Sequence, residues 1–433
     1  MTPGARFPAG NSIVARLLRA GAATLVIMSS HGLRMLLSLV IIKAIAVHLG
    51  TAGLGQLGNF MSITSAMAIL AGGGIANGVT KFVAEFSDDK ARLNSFLRAA
   101  SVYGLAFATI ILLASVVLAV PLAGLIFGSP DYWWLVPIIG FLQIAGSLGV
   151  IAVGIANGLR RIDLLGVITI PTYLVMMPIA FGLVANFGLP GAALSLGLSV
   201  TATGIPALFV LHRQGVFVQI LGTKSTAADF SNLAKYSLML LASAVAFPVA
   251  ETMLRAKVTE TMGIETAGLW QALTRLSSAY LGFFNVYLAA RYLPLLARTY
   301  GSGIAKVMLR QLAVSLPAFL LFCVALFLLR DMVLQALLSE EFLPLSDILA
   351  FQLVGDGFRL ASYIVGFLFV AKGKSRLYIT AEIVQMALWV VSGYIAVATR
   401  TDLHTLSGFY ATAYFVYFFF ICGTAFLNRS QLQ

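Results

Sequence analysis

Apolar stretches of about twenty residues follow one another along almost the whole chain, the length that a bilayer core demands of a helix. Of the 433 residues, 60% are hydrophobic and only 10% charged. Soluble domains carry about 25% charged residues, and no soluble core hides this much apolar surface. The solvent is therefore lipid. Twelve spans are expected, near 22–48, 54–80, 99–120, 132–157, 162–185, 188–211, 237–257, 264–290, 311–329, 346–371, 377–398 and 404–427. Most contain Gly or Pro, which bundled membrane helices tolerate. The first run is too long for a signal peptide, and no small-residue cleavage site follows it.

The formal charge of +12 invites a nucleic-acid reading, and the placement of the charges removes it. Of the 28 Lys and Arg residues, 20 fall in one alternate set of loops, four in the other and four inside spans. Basic loops stay in the cytoplasm, so both termini are expected there. Every loop is short, which leaves no room for a soluble catalytic module. Cys323 and Cys422 lie in apolar stretches and read as packing residues. The four histidines show no metal-ligand spacing. Neither a metal nor a cofactor is expected, and no nucleophile or paired-carboxylate motif is found. The glycine-rich "GGGIANGVTK" at 72–81 lacks the Lys-Ser/Thr pair of a phosphate loop. Asn77 and Thr80 there read as polar packing or cavity groups, as does Asn59. Trp133 and Trp134 are placed at a membrane interface.

The chain also repeats itself. "TAGLGQ" at 51–56 returns as "TAGLWQ" at 266–271, and "ANGLRR" at 156–161 faces "AKGKSR" at 371–376, both displaced by 215 residues. The first echo is expected in outer loops and the second in inner ones. Two six-span units in the same orientation follow, an arrangement of transporters that place substrate between the halves. The expected division is a cytoplasmic extension over 1–21, an N-lobe over 22–211, a cytoplasmic linker over 212–236, a C-lobe over 237–427 and a tail over 428–433.

Ionisable residues inside spans cost about 2.5–3.5 kcal/mol each on insertion scales, so each needs a reason. The first span carries His31, Arg34 and Lys43. Arg34 is too deep to reach either surface easily, whereas Lys43 has the reach to snorkel outward. Asp356 and Arg359 in the tenth span are three apart and share a helix face, as an ion pair or as cavity-lining groups. Arg275 has no carboxylate nearby in sequence. Glu251 and Arg255 are four apart, with Arg255 placed near the outer surface, and Glu382 is the carboxylate of the eleventh span. Glu251, Asp356 and Glu382 are candidates for charge balance or proton coupling. The first span is basic where a cation exporter would carry carboxylates. Arg offers fork geometry to phosphate oxygens, so an anionic cargo is expected.

"GGGIANGVTKFVAEF" at 72–86, "FPVAETMLR" at 247–255, "GLWQ" at 268–271 and "FQLVGDGFRLASYIVGFLFVAKGKSRLYITAEIVQ" at 351–385 resemble the Wzx-type flippases. These belong to the multidrug/oligosaccharidyl-lipid/polysaccharide (MOP) exporter superfamily, and the likeness is greatest to the branch serving enterobacterial common antigen synthesis. The resemblance implies twelve helices in two pseudo-symmetric lobes around a central cavity, shared with MATE exporters and lipid II flippases. It implies an undecaprenyl-diphosphate-linked oligosaccharide of the common-antigen or O-antigen kind, moved across a bacterial inner membrane. It implies a cationic cavity formed by Arg34, Lys43, Arg255 and Arg359, to which the sequence adds Arg275, where the resembling sequences have a small polar residue. A polysaccharide polymerase and a chain-length regulator are implied partners, besides membrane lipids. A proton gradient or the membrane potential is the expected drive. The rival readings are an ion-coupled multidrug exporter of the same superfamily and, further off, a membrane-embedded polymerase or ligase.

Overall fold

The computed structural model describes residues 13–72, 74–213, 224–301, 303–399 and 402–432. Among them the structure is all helical: α1 (Ile13–Ala71), α2 (Ala76–Glu85), α3 (Lys90–Val117), α4 (Ala119–Phe127), α5 (Leu135–Gly158), α6 (Ile162–Thr201), α7 (Gly204–Arg213), α8 (Ala227–Met262), α9 (Ile264–Tyr287), α10 (Leu293–Ala297), α11 (Gly303–Leu328), α12 (Arg330–Leu337), α13 (Leu345–Ala371), α14 (Ser375–Thr399), α15 (Leu403–Leu427) and α16 (Arg429–Leu432). Two of these are each two passes joined at a glycine. In α1 the chain reverses at Gly50 (φ 63°), and in α6 at Gly188 (φ 57°), a conformation that side chains with a Cβ rarely adopt. Twelve passes result. Eight described segments are long and apolar enough to cross a membrane on their own, and two of those contain these reversals. The passes not among them are α8 and α9, which carry Glu251, Arg255 and Arg275.

The second pass departs from its expected course. It is interrupted between Ala71 and Ala76, where Gly74 takes φ 69°, and α2 continues as a separate amphipathic piece. The backbone of Asn77 lies in α2, while its side chain lies outside the described residues. Trp133 and Trp134 are exposed at the turn into α5, as an interfacial position requires.

The halves repeat in detail. In each, a short helix and a 3₁₀ turn cap one end of the bundle: α4 with Pro130–Tyr132, and α12 with Glu340–Phe342. The reversal at Gly50 is matched by the one at Gly263 between α8 and α9. The loops at the opposite end hold most of the basic residues, and we call this the basic end. Contrary to the loop expectation, both copies of TAGLxQ are helical, one opening the second pass of α1 and one in the first turns of α9. They meet each other. A Cβ on Gly268 would strike the carbonyl oxygen of Thr51, and one on Gly55 that of Ile264. The repeated phrase therefore brings the two lobes' backbones into close contact at the end away from the basic loops.

Three polar contacts reinforce that closure. Lys43 Nζ donates to the carbonyls of Gln335 (2.8 Å) and Leu338, capping the last turn of α12. Glu341 accepts from the Thr51 amide at 3.1 Å, and Ser339 Oγ donates to the Ala46 carbonyl at 3.3 Å.

At the basic end α8 is fastened to the N-lobe. Asp229, fully buried, accepts from Ser95 Oγ (2.8 Å) and pairs with Arg92 (2.9 Å), while Thr226 and Asp229 form a capping box. Burial alone would raise this carboxyl. The Thr226 and Ser95 hydrogen bonds and the Arg92 guanidinium outweigh it and hold Asp229 below the usual carboxylate range. Leu233 packs into the N-lobe core beside Val79, Phe82 and Phe96. The helix thus begins inside the expected linker and its first turns side with the N-lobe.

Gly268→Ala places a methyl group against the Thr51 carbonyl, and overpacking of this kind costs about 1–3 kcal/mol. Closure at this end is expected to weaken. In a background without Cys323 and Cys422, a cysteine at position 38 should label faster in the Gly268→Ala variant from the face opposite the basic loops.

Candidate functional site

Arg34 lies on the first pass of α1 and Arg275 on α9, one from each lobe. Both line the same two voids, of about 450 and 210 Å³. His31 and Ser38 stand one turn either side of Arg34 and share its face. Ser278, Gly282 and Asn285 continue the stripe of Arg275 toward the basic end, where the larger void extends. His31, Arg34, Ser38, Ser278 and Asn285 are all exposed to this space. Neither void has a carboxylate among its described lining residues. Arg34 makes no ion pair among the described residues, and Arg275 Nε and Nη2 make no hydrogen bond. The nearest acidic oxygen to Arg275 is Glu251 Oε1 at 3.9 Å, supplied by α8, which sequence distance concealed. Two guanidinium groups facing one low-dielectric void set up a strong attraction for anions.

A third, smaller chamber of about 50 Å³ joins Arg275 to Arg359, with Glu251, Thr274, Ser278, Gln352, Trp389, Tyr410 and Tyr414 around it. Arg359 is held by tyrosines: Nε donates to Tyr363 OH (2.9 Å), Nη1 to Tyr410 OH (3.4 Å), and the Tyr414 ring lies 5.3 Å from Cζ. The ion pair with Asp356, one of the two readings of their spacing, is replaced by a bridge. Tyr410 OH accepts from Arg359 and donates to Asp356 Oδ1 at 2.6 Å. Asp356 is fully buried and also accepts from Ser277 Oγ (2.6 Å) and Tyr280 OH, while Gln352 Nε2 donates to Ser277 Oγ at 2.8 Å. Its lone pairs are committed to neutral donors, which leaves the Arg359 charge uncancelled by contact.

Arg255, eight residues before the Gly263 reversal, is absent from the described walls of these voids: it is 1% exposed, in a knot that joins the lobes. Its Nη2 pairs with Glu251 at 2.8 Å and donates to Gln271, and its Nη1 donates to Asn59 at 3.1 Å. Ser62 Oγ donates to the second Glu251 oxygen at 2.6 Å. The guanidinium lies against Gly58, where a Cβ would collide with it, and 5.7 Å from the Trp270 ring. Of the expected cavity cations, the structure brings together Arg34, Arg275 and Arg359. Arg255 and Lys43 serve contacts between the lobes instead, and Asn59 belongs to the Arg255 knot. Thr80 only back-bonds to the Ala76 carbonyl in α2. Glu382 is exposed on α14, hydrogen-bonded to Tyr378 one turn before it.

Ser62, Gln271, Ser277, Tyr280, Gln352 and Tyr410 were not anticipated. Each is a polar letter inside an apolar span, a signal shared by too many residues to single these out. Gln271, the last letter of the repeated phrase, was the one within reach.

The model of the family described as polysaccharide biosynthesis protein matches residues 20–300. Two curated relatives, the lipid III flippases of Escherichia coli (strain K12) and Shigella flexneri, are each 32% identical over 401 residues, covering 91% of this chain and 95% of theirs. The chain belongs to the polysaccharide biosynthesis protein family. Its resemblance to Wzx-type flippases is thereby borne out. Among solved structures, an inward-facing multidrug resistance MATE family transporter of the MOP superfamily superposes with a TM-score of 0.75 at 15% identity, over 92% of this chain and 95% of the other. The lipid II flippase MurJ in an inward closed conformation superposes with a TM-score of 0.70 at 13% identity, over 93% and 87%. At such identities the likeness concerns fold alone, and it supports the two-lobed, twelve-helix architecture of this family member.

Removing one partner of a buried ion pair costs about 3–5 kcal/mol because the other charge is left uncompensated. Glu251→Gln should therefore lower the melting temperature of the purified protein sharply. Glu251→Gln combined with Arg255→Met should recover much of that loss in the same melting assay.

Proposed function

We propose that this protein is a flippase that carries an undecaprenyl-diphosphate-linked oligosaccharide from the cytoplasmic to the periplasmic leaflet of the bacterial inner membrane. The observation that carries the reading is the pairing of Arg34 and Arg275, one from each lobe, on voids without a carboxylate in their described walls. The lipid III flippase relatives give the reading its substrate class.

The basic end is taken as cytoplasmic under the positive-inside rule, with both termini there. The lobes meet at the other end through Gly268, Lys43, Glu341 and the Arg255 knot, so the cavity is poised for loading from the cytoplasm. In the empty state two like charges across the void oppose closure of the loading end. A diphosphate accepts hydrogen bonds from both guanidinium forks and cancels that repulsion, so the lobes approach once cargo is bound. The contacts at the far end are short and polar and give way as the lobes rock. The prenyl tail stays in lipid throughout. Outward movement of an anion is favoured by an inside-negative potential at about 2.3 kcal/mol per charge per 100 mV. The moved unit would pass to a polysaccharide polymerase and its chain-length regulator.

The MATE likeness makes an ion-coupled multidrug exporter the second reading. The cationic lining argues against cationic drugs as cargo. In reconstituted vesicles, leaflet exchange of a fluorescent prenyl-diphosphate oligosaccharide is expected from the wild type. Charge-assisted hydrogen bonds contribute about 1.5–3 kcal/mol, so Arg34→Ala or Arg275→Ala should slow exchange roughly tenfold to a hundredfold. Normal exchange by both variants, with export of cationic dyes under a proton gradient, would establish the exporter.

A further inference from the structure

Beyond the diphosphate site, the C-lobe carries a strip of polar and aromatic side chains with no part in the mechanism above. It starts at Arg359, beside the small chamber, and runs toward the basic end. Tyr363 follows one turn on along α13, half-buried, its hydroxyl accepting from Arg359 at 2.9 Å. From the facing helix α14 come Tyr378, Glu382 and Gln385, at i, i+4 and i+7 on one face, about 10 Å in length. Tyr378 is 37% exposed and Glu382 is exposed, while Gln385 Nε2 donates to Tyr414 OH at 3.2 Å. Tyr414 and Tyr417 form a buried floor, their rings 6.5 Å apart and nearly perpendicular.

This strip is not the lipid face of α14. That face is carried by Ile379, Ile383 and Val391, which are exposed roughly 90–150° round the helix from the strip. Glu382 interacts electrostatically with Arg359 and with Tyr417, both inside the lobe. A carboxylate in that position faces an aqueous space, because hydrocarbon would exclude it.

The chemistry of the strip selects among the three parts of a lipid-linked glycan. A diphosphate is repelled by Glu382 and is better served by Arg34 and Arg275. A prenyl tail gains nothing from a carboxylate and an amide. A sugar ring has apolar faces that suit tyrosine rings and hydroxyls that suit carboxylate, amide and guanidinium partners. A few fixed polar groups among aromatic walls are the usual makeup of an orienting site. We propose that Tyr363, Tyr378, Glu382 and Gln385, with Arg359 at the inner end, form the glycan subsite of the carrier. This rests on the flippase reading, and it assigns the cargo's two polar parts to different places: diphosphate between the lobes, sugars along the C-lobe strip.

The test measures binding of two probes, undecaprenyl diphosphate and lipid III, to the full-length protein in nanodiscs. Tyr378→Ala and Glu382→Gln are expected to weaken lipid III binding by about tenfold or more and to leave undecaprenyl diphosphate binding unchanged, which also shows that the variants are folded. Tyr378→Phe, which keeps the ring, should retain most of the lipid III affinity. Arg34→Ala should weaken both probes. Equal losses for both probes in the Tyr378 and Glu382 variants, or no loss for either, would overturn the subsite while leaving the flippase reading intact. Failure of the wild type to bind either probe would overturn both.

Discussion

The cost of a guanidinium group at bilayer depth organises this protein. Four arginines sit inside the membrane-spanning bundle, and the fold meets the cost in three ways. Arg255 is enclosed completely, with Glu251, Asn59, Ser62 and Gln271 around its two terminal nitrogens. Arg359 is wrapped by tyrosine hydroxyls and rings, its nearest carboxylate kept one hydroxyl away. Arg34, with no ion pair among the described residues, and Arg275, with only Glu251 at 3.9 Å, line voids instead. A cation left on a cavity wall with little internal pairing is the arrangement in which anion binding gains most.

The same residues tie chemistry to movement. Glu251 lies between the enclosed Arg255 and the open Arg275, at 2.8 and 3.9 Å from their nitrogens. The interface knot and Arg275 therefore share a carboxylate. Around it, closure at one end depends on backbone contact at Gly268 and Gly55 and on Lys43 at the end of α12. At the other end the Asp229 cluster keeps the first turns of α8 with the N-lobe, although Glu251 and Arg255 on the same helix work at the interface. Between these two attachments Pro248 interrupts the helical hydrogen bonding of α8.

Much of the architecture was legible in the sequence. Apolar run length fixed the twelve passes, because lipid leaves the backbone no alternative to helix. The two echoes located the repeat, and one of them proved to be the lobe contact itself. Arg34 and Arg275 could be placed because a deep cation has few explanations. Arg255 and Lys43 could not be assigned, since depth along one helix says nothing about which face a second helix covers. Asp356 and Arg359 looked like a simple pair because helical spacing ignores Tyr410, 51 residues beyond Arg359, which stands between them. The break at Gly74 was marked by a run of glycines, but the apolar residues on both sides made the segment look like one continuous pass.

The most direct measurement is a cryo-electron microscopy structure of the protein in nanodiscs with bound lipid III. The diphosphate is expected between Arg34 and Arg275, within hydrogen-bonding reach of both, with the Lys43 and Glu341 contacts still closed. Density for the diphosphate at the lipid-facing surface, or guanidinium groups of residues 34 and 275 paired with carboxylates and turned from it, would contradict the central claim.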